Sequence, residues 1–254
     1  MAEIIKISYP ANGNFSKFKI PDIVCKRRTK NIKPENKTNI ALSAFAGAVL
    51  PVVILNAFKK GRLNTIADSF KNKMPIKDKF KAIWNMFEIE NYTQILATTT
   101  GGVFGGLIGG LKYANNKNEK EAKYKEGIFE FLNNMTPTTL VALLTMYSNR
   151  TGKLKSPLAK AGIILGSVVS GMFLANKASN KIYETFFDKN KKKEDKTIRV
   201  FKPTDCLVHI DDLLNLAVLA RIPFASRFQM DKLLPFIYAR SGLEVGLAKN
   251  NNRD

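Results

Sequence analysis

The chain is poor in the residues that carry most catalytic and metal chemistry. Of its 254 residues only two are cysteine, Cys25 and Cys206, and one is histidine, His209. Two distant cysteines make neither a disulfide framework nor a zinc-ligand cluster, so no metal is expected. Behind the first charges of MAEIIKISYPANGNFSKFKI there is no apolar stretch of the kind that marks a cleaved signal peptide, and insertion would fall to the first span itself. Acidic residues are scarce too, 21 against 41 Lys and Arg, for a formal charge of +20. Such an excess points to an anionic partner, either nucleic acid or lipid headgroups.

The placement of the charge separates these two partners. Basic residues fall between charge-free apolar blocks and form no continuous patch, as in loops flanking membrane spans, so lipid is expected and nucleic acid is not. Mean hydropathy is slightly below zero because it averages long charge-free stretches with segments rich in Lys and Asn. A hydrocarbon core about 30 Å thick takes about 20 apolar residues of helix to cross. Four runs approach that length: 38–58 (TNIALSAFAGAVLPVVILNAF), 91–111 (NYTQILATTTGGVFGGLIGGL), 131–149 (FLNNMTPTTLVALLTMYSN) and 161–176 (AGIILGSVVSGMFLAN). The last is short, but Lys160 and Lys177 at its ends could snorkel. The expected fold is therefore all-α: an integral membrane helical bundle of about four spanning helices, with amphipathic peripheral helices.

Residues 1–37 read as a basic cytoplasmic tail, 38–177 as the membrane domain, 178–202 as a charged linker and 203–254 as a peripheral helical region, with a fifth or re-entrant segment near 233–247 left open. With four spans, the tail, the second loop (112–130) and the linker share a side. They carry more Lys and Arg than the loops 59–90 and 150–160, which places both termini in the cytoplasm. A Lys-, Asn- and Ile-rich composition suggests an AT-rich, bacterial genome, and hence a bacterial inner membrane. Between the first two spans, Pro75 opens an amphipathic helix at 75–90 in which Ile76, Phe80, Ile83, Trp84 and Phe87 share a face bordered by lysines. Phe80, Trp84 and Phe87 are candidate interfacial anchors, although packing on other protein segments fits the same pattern.

The second run carries two interleaved glycine series, Gly101, Gly105, Gly109 and Gly102, Gly106, Gly110. Residues four apart stack on one helix face, so each series makes a groove that admits another backbone, a glycine-zipper pattern that serves packing within a chain or between copies in a homo-oligomer. The segment GGVFGGLIGG has neither the order nor the flanks of a nucleotide-binding loop. The fourth run repeats the pattern through Gly162, Gly166, Ser170 and through Ser167, Gly171. GGLIGGLKYAN (105–115) can be laid over GSVVSGMFLAN (166–176), and Lys59-Lys60-Gly61-Arg62-Leu63 resembles Arg150-Thr151-Gly152-Lys153-Leu154. An internal repeat of two related hairpins in the same orientation follows, their glycine-faced helices meeting at the centre.

Few side chains suggest chemistry. Asp205, His209 and Asp212 share a helical face, yet one histidine makes a weak metal or acid–base set, and a capped helix start accounts for the same residues. No charge lies inside the four runs, which disfavours proton-coupled pumps. Thr98, Thr99 and Thr100 form the one hydrophilic stretch that hints at permeation. No catalytic residue and no cofactor is indicated. The expected function is non-enzymatic: a scaffolding or oligomer-forming membrane protein, alone or with a membrane-protein partner. A small-solute channel or carrier between the hairpins is the alternative, and a soluble basic helical protein the second.

Overall fold

The computed structural model describes residues 34–59, 75–152, 156–190 and 229–249, together with residues 64, 67, 68 and 71. The N-terminal tail before residue 34, most of the charged linker and the Asp205, His209, Asp212 set lie outside the described residues. All the regular structure described is helical, as expected.

Helix α1 (Pro34–Ala57) opens on a proline, whose missing N–H costs nothing in a first turn, and it accommodates Pro51 in its interior. Helix α2 (Ile76–Trp84) passes into a single 3₁₀ turn at Asn85–Phe87. Helix α3 (Tyr92–Lys112) starts where the Asn91 side chain accepts from the Gln94 N–H at 3.0 Å. Helix α4 (Lys117–Thr151) starts at a reciprocal cap: Asn116 Oδ1 accepts from Glu119 N–H, and the Glu119 carboxylate accepts from Asn115 N–H. It stops at Gly152, whose φ of 69° suits a residue without a Cβ. Ser156 caps α5 (Pro157–Phe186), and α6 (Met230–Leu247) completes the set.

Two expected boundaries are corrected. The region 112–130, read as a loop, is helical from Lys117, and only 113–116 turn between α3 and α4. Its charges signal solvent in a hydropathy reading, yet Lys, Glu and Ala are strong helix formers, and Glu121 and Lys125 pair at i,i+4. Likewise α5 runs past Asn176 to Phe186.

The number of spans also changes. Among the described residues two helices, not four, are long and apolar enough to cross a membrane: Glu35–Ala57 and Gly162–Phe186. Glycine and threonine dilute the hydropathy of α3, and Asn133, Asn134 and the threonines at 136, 138 and 139 dilute that of the second half of α4.

Helices α1, α3 and α6 pack as a trio, α4 lies against α3 and α6, and α5 lies along α4. The trio's core gathers Ala48, Val52, Ile95, Leu234 and Tyr238. Contacts fix the directions. Gly47, Ser43 and Ile40 of α1 meet Gly101, Gly105 and Gly109 of α3 in descending order, so these helices are antiparallel. Tyr238, Gly242 and Gly246 meet Gly102, Gly106 and Gly110 in ascending order, so α6 is parallel to α3. Segment 230–247, expected at the periphery, instead runs through the most tightly packed part of the molecule.

Candidate functional site

The six glycines of α3 divide by face. A Cβ on Gly109 would stand 2.9 Å from the Ser43 Cβ, and one on Gly101 would press on the Gly47 carbonyl and stand 2.9 Å from Cγ of Pro51. On the other face, a Cβ on Gly102 would stand 2.7 Å from the Tyr238 carbonyl oxygen, and one on Gly110 2.5 Å from that of Gly246. Gly105 and Gly106 are filled in the same way by the backbones of Ser43 and Gly242. The first series therefore seats α1 and the second seats α6. At the α1 contact the Ser43 hydroxyl donates to the Gly105 carbonyl at 2.6 Å, so the close approach also satisfies a side-chain donor.

In α5 only part of the corresponding pattern is in contact. A Cβ on Gly171 would stand 2.5 Å from Cα of Pro137 in α4, and Ser167 is buried. Among the described residues nothing lies within 4 Å of a Cβ on Gly162 or Gly166, and Ser170 is exposed. Within the chain, Gly162, Gly166 and Ser170 therefore pack on no described helix: successive helical positions are rotated by about 100°, so the two series diverge and only one points at α4. Nor do α3 and α5 meet at the centre, since α3 is flanked by α1, α6 and α4. The glycines matched in the repeat thus have different surroundings.

Thr98 and Thr99 are fully buried and Thr100 is partly so. The Thr98 hydroxyl donates to the Ala48 carbonyl of α1, which makes it a helix-to-helix tie. A second tie is a buried amide pair. Asn56 donates to the carbonyls of Met86 (2.9 Å) and Glu88 (2.7 Å), and Gln94 donates to Asn56 Oδ1 at 2.8 Å. Together they pin the 3₁₀ turn between α1 and α3.

The amphipathic helix is held by its aromatic end. Trp84 stacks on Phe80 and Phe236 with centroid distances of 6.4 and 6.1 Å, and Phe87 lies 5.5 Å from Phe236. The Trp84 indole donates to Gln229 Oε1 at 2.8 Å. Ile76 and Phe80 remain exposed, so the helix has one end packed on α6 and an apolar face turned outward.

The first half of α4 places charge inside the protein, which the apolar-run reading misses because it begins the span at Phe131. Lys125 is buried, 2.8 Å from Asp188 and 2.9 Å from Glu121, and its carbonyl accepts from the Tyr183 hydroxyl at 2.6 Å. Lys123 donates to the carbonyls of Gly246 (2.6 Å) and Ala248 (2.8 Å), a cation placed at the negative end of α6. Burial there lowers its pKa to about 8, against the opposing pull of Glu119. Glu126 and Glu130 follow on the same helix, both buried.

Sequence reasoning also missed Gly47, Gly242 and Gly246. Their signal is the same spacing of four, Ser43 to Gly47 and Gly242 to Gly246, hidden in the latter case by Arg240 and Glu244. No protein-family profile, curated protein or solved structure matches this chain.

Proposed function

We propose that this chain is a non-enzymatic integral membrane protein with a scaffolding role, its helices locked by the glycine faces of α3. The supporting observation is an inverted distribution of polarity. Outward faces carry Leu42, Leu50, Ile54, Phe104, Ile108, Leu165 and Phe173, whereas Asn56, Gln94, Thr98, Asn133 and Asn134 are buried. A protein dissolved in lipid favours this pattern, because backbone and polar groups must find partners inside while apolar side chains face the acyl chains.

The start of α1, the α3–α4 turn and the ends of α5 and α6 lie at one end of the bundle, joined by Lys125–Asp188 and Lys123–Gly246. With the basic tail, this end is assigned to the cytoplasmic side of a bacterial inner membrane, against anionic headgroups. Each basic residue near such a surface contributes about 1 kcal/mol. Ile76, Phe80 and Trp84 would rest in the opposite interface. Homo-oligomers have the exposed Gly162, Gly166, Ser170 face of α5 open to them, because the α3 glycines are already occupied. A small-solute carrier is the second reading, favoured by the buried carboxylates of α4.

Fractionation tests the first reading. The protein is expected in membranes, resistant to alkaline carbonate and released by detergent. Recovery in the soluble fraction would overturn it and favour a soluble basic helical protein. Labelling of Cys25 from outside intact cells would reverse the orientation.

A further inference from the structure

We propose that Glu126 and Glu130 of α4 and Glu244 of α6 bind one divalent cation inside the bundle, a property that goes beyond the scaffold reading and does not depend on it. One oxygen from each carboxylate lies within 4.8 Å of those of the other two. Glu126 is 7% exposed and Glu130 4%. The pair stands one helical turn apart on a single face. Between them, the Gly127 position faces Val245 of α6 and Val103 of α3, which sets the cluster well inside the helix ends.

Basic groups also stand near the cluster among the described residues. Lys123 is turned to the carbonyls of Gly246 and Ala248, and Lys125 to Asp188 and Glu121. Arg240 approaches Glu244 at 3.6 Å from an exposed position. The three glutamates also keep contacts within the protein, and the Glu244 side chain is 38% exposed, so the assignment rests on their crowding, on the depth of Glu126 and Glu130 and on two further groups.

Two further groups point to a ligand. Asn134, 1% exposed, stands one turn beyond Glu130. A helical side chain leans toward the N-terminal end of its helix, so this amide overlies the Glu130 turn, and its Nδ2 has no hydrogen-bond partner. Thr99, fully buried, lies one turn from Val103 on the stripe of α3 that faces α4, and its hydroxyl has no partner either. Amide rotation would present Asn134 Oδ1 in place of nitrogen. Carboxylate, amide and hydroxyl oxygens form a hard ligand set suited to Mg²⁺, Mn²⁺ or Ca²⁺.

The test uses the full chain in detergent, stripped with chelator and titrated with Mn²⁺, the free ion being followed by electron paramagnetic resonance. About one Mn²⁺ per chain is expected, displaced by Ca²⁺ or Mg²⁺, with affinity reduced at least tenfold in Glu130→Gln and Glu244→Gln and unchanged in Glu35→Gln. Thr99→Val, nearly isosteric, is expected to weaken binding while leaving the elution volume of the protein unaltered. Absence of stoichiometric Mn²⁺ from the wild-type chain overturns the site, as does undiminished binding in Glu244→Gln. If Glu130→Gln does not fold, the wild-type titration and Glu244→Gln decide. Membrane fractionation is unaffected by either result, so failure here is distinct from failure of the scaffold reading.

Discussion

A Cβ on Gly106 would fall on the backbone of Gly242, and a Cβ on Gly242 would fall on the backbone of Gly102. Helices α3 and α6 therefore touch main chain to main chain, and neither can retreat without opening the trio, because α1 holds the adjacent face of α3. Such a contact is stabilised by dispersion between closely spaced backbones, which a single methyl group is enough to prevent.

Gly106→Ala is accordingly expected to destabilise the protein by about 1–3 kcal/mol, and Gly106→Leu to prevent assembly of α6 on α3. Gly166→Ala, where a Cβ meets no described residue, should be neutral or stabilising by up to about 1 kcal/mol through helix propensity. Thermal denaturation in detergent separates the two, and equal losses at both positions would contradict the assignment of faces.

Lys125 and Asp188 lie 2.8 Å apart with side chains 4% and 1% exposed, so removing the lysine takes the adjacent cation from a buried carboxylate. Lys125→Met is expected to cost roughly 3–5 kcal/mol, and Lys125→Met with Asp188→Leu to recover part of that loss. Denaturant titration of the wild type, both single variants and the double variant reads the coupling directly.

The Lys123 ammonium, at the end of α6 and outside the apolar spans, has its folded-state pKa lowered from 10.5 to about 8, chiefly by burial. Between these values the folded protein holds fewer protons on this group than the unfolded chain. Its contribution to stability therefore rises with pH from about 8 to 10.5. Lys123→Met should flatten that rise when melting temperatures are compared across the window.

Legibility from sequence tracked how local the deciding physics was. The caps at Asn91, Asn116 and Gly152 act within a turn, yet a reading of apolar runs passes over them and takes 112–130 as a loop. The stacking of Gly101, Gly105 and Gly109 is readable because periodicity alone puts them on one face. Which neighbour each face takes was not readable, since that depends on α6, whose Gly242 and Gly246 sit among Arg240 and Glu244 and read as surface. Hydropathy also misplaced the first half of α4. Lys125 and Glu130 lower the average, and only the partner helices reveal that these charges are enclosed.

The parallel run of α6 along α3 has a consequence for biogenesis. The groove formed by Gly102, Gly106 and Gly110 is complete as soon as α3 is made, but its occupant is encoded more than a hundred residues later. At roughly 5–20 residues per second, a nascent chain would carry that bare face for on the order of ten seconds. During that interval the groove is open to any other small-faced helix. Assembly order, as much as final packing, therefore selects α6 as the helix that fills it.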